Sequence, residues 1–150
     1  MIQSTQTEQT GELLNSAYRS VKSLGSLILN LMPKVKNEKL KSDMTVQLSA
    51  LEAFASRAVK LLAEENARPE DEGMLARMTA KWSAAVNTVM DSSSSHLAKL
   101  LITSADEEAA ELTRCLREAE NSNASEASLR LLRDACAFED KITKDLKVYL

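Results

Sequence analysis

Three glycines and two prolines in 150 residues leave little from which to build tight turns. An all-β sandwich or barrel needs a turn signal every 8–12 residues or so, and this chain cannot supply them. Aromatic side chains are equally scarce, at one Trp, two Tyr and two Phe. No uninterrupted apolar run approaches the ~18 residues of a membrane span, and the stretch from Met1 to Thr10 is polar rather than signal-like. Only two cysteines occur, Cys115 and Cys136, with no CxxC between them. They read as buried reduced thiols of a cytoplasmic protein. A disulfide between neighbouring helices is compatible with the pattern, but nothing requires one. There is a single histidine, His96.

What is present points to helices. Hydrophobic residues make up 44% of the chain, too many for a disordered segment. The 22 acidic and 19 basic residues are interspersed, giving a net charge of -3. With a pI near 5.3 and almost no aromatics to stack on bases, the chain is not expected to bind nucleic acid. The expected partner is another protein or a second copy of this chain, with no membrane involved.

Apolar residues recur at three- and four-residue steps in four long segments. Segment A runs from about Glu8 to Met32, with Leu14, Ala17, Tyr18, Val21, Leu24, Ile28 and Leu31 on one face. Pro33 stops it. Segment B follows the N-cap Asn37 with Leu40, Met44, Leu48, Leu51, Ala55, Ala58 and Leu62, and stops at Asn66-Ala67-Arg68-Pro69. A less regular stretch then opens at Glu70-Asp71-Glu72-Gly73, acidic as a helix start should be. It carries Leu75, Met78, Trp82, Val86 and Val89. Four serines, Ser92 to Ser95, predict a kink or break with Ser94 or Ser95 as a new N-cap. Segment C carries Leu97, Leu101, Ala105, Leu112, Leu116 and Ala119. After the turn Asn121-Ser122-Asn123, segment D runs from about Ser125 to Tyr149 with Leu129, Leu132, Ala135, Phe138, Ile142, Leu146 and Tyr149 on its stripe.

Four helices with narrow apolar stripes bury them as an all-α four-helix bundle. The short A–B and C–D links make antiparallel hairpins. The long B–C connection, with a helix of its own, predicts a ferritin-like arrangement; the alternative keeps residues 71–120 as one kinked helix. We expect one domain over residues 1–150, with 1–8 loosely ordered.

Three phrases are similar to an uncharacterised family of bacterial ferritin-like four-helix-bundle proteins. They are Met32-Pro33-Lys34-Val35, the stretch from Met90-Asp91 to His96-Leu97-Ala98, and Phe138-Glu139-Asp140-Lys141 with the ending Leu146-Lys147-x-Tyr149-Leu150. The resemblance covers the chain from about Tyr18 onward. It implies the bundle fold and a cytoplasmic setting, and no established activity. The family carries an acidic residue where Lys22 stands and His-x-x-Glu where this chain has His96-x-x-Lys99, so a site built on those carboxylates meets two charge reversals here.

Chemistry is mostly excluded by what is missing. A di-iron or di-manganese bundle site needs Glu-x-x-His on two helices, and this chain has one histidine, preceded at the third position by Ser93. No zinc or calcium motif occurs. There is no Gly-x-Ser-x-Gly elbow and no glycine-rich phosphate loop. Four polar residues on or near apolar stripes are the metal candidates, Glu52, His96, Glu108 and Glu139; iron or manganese would enter only through a degenerate site built from them. Helical rise places Glu139 roughly 25 Å and His96 roughly 39 Å from the C–D turn, too far apart to share an ion. Glu108 matches the level of Glu139 and forms a candidate carboxylate pair without histidine. The blander expectation is that His96 is satisfied near a helix start and that Glu52 and Glu139 sit at stripe edges in ion pairs. Trp82, Met44, Met74, Met78 and Met90 are expected in the core. The expected role is therefore a non-catalytic interaction or structural protein, with a degenerate metal-dependent oxidoreductase or storage protein as the alternative and a small-molecule carrier as a third reading.

Overall fold

The computed structural model describes residues 2–70 and 72–150, with side chains from Glu8 onward apart from Asp71. Residues 1–8, expected to be loosely ordered, fall almost wholly outside the described side chains. The chain forms α1 (Ile2–Leu31), α2 (Glu38–Glu64), α3 (Glu72–Asn87), α4 (Ser94–Asn121) and α5 (Glu126–Leu146). Short 3-10 turns follow α1 at Met32–Lys34 and α5 at Lys147–Tyr149. No helix among the described residues is long and apolar enough to cross a membrane.

Local chemistry sets the boundaries. Pro33 lies in the 3-10 turn that ends α1, where its missing N–H costs nothing. Asn37 caps α2 by accepting from Leu40 N at 2.9 Å. Asn66, at φ 56°, and Asn123, at φ 63°, take the left-handed conformation that reverses the chain after α2 and α4, a conformation a short polar side chain tolerates. The first of these folds Ala67 onto α1, where a Cβ built on Gly11 would lie 3.1 Å from that of Ala67. Ser125 caps α5. The cap of α4 is Ser93, not Ser94 or Ser95: its hydroxyl accepts from His96 N at 3.2 Å. Asp91 accepts from Ser93 N at 2.9 Å and fixes the serine in that role.

The serine run therefore breaks the chain between α3 and α4 rather than bending one helix. Cross-helix contacts give the directions. Ala67 against Gly11 and Leu48 against Gly25 make α2 antiparallel to α1. Arg19 meets Glu70 at 3.5 Å and Ser26 meets Thr79 at 3.3 Å, so α3 runs the same way as α1. It carries the chain back along the bundle. Thr143 donates to Asp106 at 3.0 Å, and Tyr149 of the last turn donates to Asp43. Hence α5 runs against both α4 and α2. Around the bundle the order is α1, α2, α5, α4, with α3 laid on the outside of α1.

The stripes pack as one core from α1, α2, α4 and α5, with Leu24, Ile28, Leu40, Met44, Leu97, Leu101 and Leu112 fully buried. A satellite of Leu14, Ala58, Leu62 and Leu131 closes the end near the α1 start. Each buried Leu or Ile contributes about 1.5–3 kcal/mol. Because α3 covers a second face of α1, Ser20 and Ser23 are buried as well as the stripe. Helix α3 itself buries only Val86 among its described residues.

Candidate functional site

The core of α5 holds one residue that does not belong there by polarity. Glu139 sits between Ala135 and Ile142 on the stripe and has no exposed surface. It is not at the stripe edge and makes no ion pair among the described residues. Its Oε1 accepts from Ser20 Oγ of α1 at 3.4 Å, and its Oε2 has no hydrogen-bond partner. Burial, and then the neighbouring charge of Glu108, push its carboxyl up to about 9. At neutral pH Glu139 is held as the protonated acid.

Glu108 of α4 is half-buried, and its carboxylate also engages Ser20. Burial raises its titration above the ordinary carboxylate range, with Glu111 and Glu107 adding to the effect. The Ser20 hydroxyl thus stands between two carboxyl groups contributed by antiparallel helices. This is the pair that helical rise puts at one level.

Ser20 and Glu108 form part of the floor of a cleft of about 510 Å³ between α1, α3 and α4. Arg77, Lys81 and Trp82 line it from α3, Arg19 from α1, and Glu107 and Glu111 from α4. The Trp82 ring is pinned where its Nε1–H donates to Ser23 Oγ at 2.9 Å, and Lys81 Nζ lies 5.8 Å from the ring centroid. Met74 and Met78 are half-buried and line the same cleft. Only Met44 of the expected core set is fully buried, and Met90 is 97% exposed. Periodicity failed for these residues because α3 covers α1 from outside and contributes little to the core.

The other candidates lie elsewhere. Glu52 is exposed on α2 and lines a shallow cleft with Lys22 and Lys60. His96 is half-buried in the first turn of α4, beside Asp91, and roughly 18 Å of helical rise separates it from Glu108. Glu52, His96, Glu108 and Glu139 therefore do not form one cluster. Among the described residues no three His, Cys, Asp or Glu side chains converge as a metal site would need. Both cysteines are free. Burial is the leading cause that raises each thiol, Cys136 to about 11.

Ser20, Arg19, Arg77 and Lys81 are site residues that sequence reasoning missed. Ser20 borders the α1 stripe, and only the presence of α3 over that face turns a border position into a buried one. Comparisons with protein-family models, curated proteins and solved structures find nothing that matches this chain.

Proposed function

We propose that this protein is a non-catalytic binding protein on a ferritin-like four-helix bundle, taking a small cationic group at the floor of the α1–α3–α4 cleft. The helix order, with two antiparallel hairpins joined through α3, supports the ferritin-like reading. One observation carries the binding reading. A fully buried carboxyl with an unpartnered oxygen, Glu139, shares a serine hydroxyl with a second carboxyl on the wall of an open cleft. Glu139 behind Ser20 stays protonated and does not line the cleft, whereas Glu108 lines it with no ion-pair partner among the described residues. An ammonium group supplies the counter-charge that Glu108 lacks. Catalysis has less to work with. The cleft has no imidazole and no thiol among its lining residues, so it holds neither a Ser–His nor a Cys–His couple.

Methylammonium is the simplest probe. A ligand bound by the native state alone raises the melting temperature with concentration. Methylammonium is expected to do so for the parent chain and not for Glu108→Gln. No stabilisation of the parent would remove the reading, and Mn²⁺ or Fe²⁺ stabilising where methylammonium does not would replace it with the metal alternative.

A second reading, an interaction protein, draws on the opposite feature of the surface. Met90, Val46 and Leu29, at 97%, 65% and 54% exposed, and Val148 and Leu150, at 70% and 61%, all lie toward the end of the bundle where α1 and α5 finish. Large exposed apolar side chains gathered at one end suit a partner or a second copy. Light scattering showing a strict monomer at high concentration would count against the self-association form of this reading.

A further inference from the structure

Ser20 and Glu108 account for only one wall of the cleft. Arg77 and Lys81 stand one helical turn apart on α3, so they share a face, and both line the cavity that Glu107 and Glu108 line from α4. None of these four side chains makes an ion pair among the described residues. Opposite charges thus border one open cleft without neutralising each other. A simple cation on Glu108 would leave the arginine and lysine unmatched, and a simple anion would leave the carboxyls unmatched. Arg19 and Glu111 also line the cleft but are already paired, with Glu70 and Arg114. The unmatched charges are therefore Arg77 and Lys81 on one wall against Glu107 and Glu108 on the other, and a ligand of no net charge suits them. Trp82 and Met78 give it an apolar side.

We propose that the cleft binds a small zwitterion, its ammonium group on Ser20 and Glu108, its carboxylate on Arg77 and Lys81, and its methylenes against Trp82. This ligand class rests on the cation-binding reading above and extends it to the second wall. Arginine's planar fork suits a carboxylate, and lysine adds a point charge beside it.

Trp82 is the only tryptophan of the chain, so its fluorescence reports on the cleft without a label. The full chain at pH 7 would be titrated with methylammonium, acetate, glycine, β-alanine, γ-aminobutyrate and ε-aminocaproate, with calorimetry as a check. At least one amino acid should bind about tenfold or more tightly than methylammonium or acetate, as one added charge-assisted contact implies. The preferred chain length reads out the spacing of the two walls. In the double variant Arg77→Gln, Lys81→Gln the ratio of amino-acid to methylammonium affinity should fall to about one. Both positions are exposed, and an unchanged melting temperature would confirm that the variant folds. Amino acids binding no tighter than methylammonium would overturn the zwitterion while leaving the cation site standing. Acetate binding as tightly as the amino acids would also overturn it. Binding of none of the probes would remove both proposals together.

Discussion

Burying an acid without a counter-charge has a consequence that can be measured in the free protein. Glu139 titrates at about 9 in the folded chain, against 4.5 as the ordinary value. Between those values the folded chain keeps a proton that the unfolded chain has released. Stability is therefore fullest below pH 4.5 for this group, falls as pH rises toward 9, and levels off above it. Glu108 on α4 shifts in the same direction and adds to the slope, as does repulsion from Asp140 on α5, while the Ser20 hydroxyl on α1 opposes it. Glu139→Gln should flatten the decline and raise the melting temperature at pH 8, because an amide carries no ionisable proton. An unchanged or steeper decline in thermal unfolding from pH 5 to 9 would show that Glu139 is solvated. The thiols give a second test at this scale. Burial holds Cys136 at about 11 and Cys115 above the ordinary range, so neither is a thiolate at pH 7.5. Buried Cys115 should label with a disulfide reagent only as fast as the chain opens, and half-buried Cys136 more slowly than an exposed thiol of ordinary pKa; rapid labelling of Cys115 in the native protein would contradict this. The identity of Glu139 as a polar residue among stripe positions was legible in the sequence. That it lacked a cation was not, because pairing depends on which helix faces it.

Helix α3 is held by polar contacts at its edges more than by its own core. Asn15 clamps the link before it, donating to Arg68 O and accepting from Glu70 N, both at 2.8 Å. Trp82 and Thr79 then tie it to Ser23 and Ser26 of α1. Few buried apolar side chains mean low opening free energy. Amides of α3 should exchange with deuterium faster than those of α4, which buries Leu97, Ala98, Leu101, Ala105 and Leu112; equal protection would show that α3 unfolds only with the whole bundle. The α4 cap offers a sharper figure. Ser93→Ala removes the acceptor for His96 N and should cost about 1 kcal/mol in denaturant unfolding, whereas Ser94→Ala and Ser95→Ala should cost much less. The sequence showed that a cap lay in the serine run. It pointed to Ser94 or Ser95 and missed Ser93, because the choice is made by Asp91 holding the Ser93 amide.

At the scale of the whole molecule, the four stripes and their short links dictate two hairpins, and that much follows from spacing alone. How the hairpins join depends on the link. With α3 parallel to α1 and α4 antiparallel to it, the chain must reverse between Asn87 and Ser94. Thr88, Asp91 and Ser93 make that reversal by bonding to nearby backbone groups in place of the helical ladder. Converting Thr88, Asp91, Ser92 and Ser93 to alanine removes those competitors and favours one continuous helix through the link. A continuous helix cannot lie parallel and antiparallel to α1 at once. Within one copy, α4 and α5 would then be carried away from α1 and α2, leaving both halves of the core exposed. The α4–α5 hairpin of a second copy fits that gap with every native contact preserved, which is the route of a domain swap at a hinge. The quadruple alanine variant should therefore shift to twice the parent's mass in size-exclusion chromatography with light scattering, while Ser93→Ala alone keeps the parent's mass. A variant that keeps both the parent mass and the parent stability would mean that the reversal is imposed by core packing, with the link chemistry merely following it.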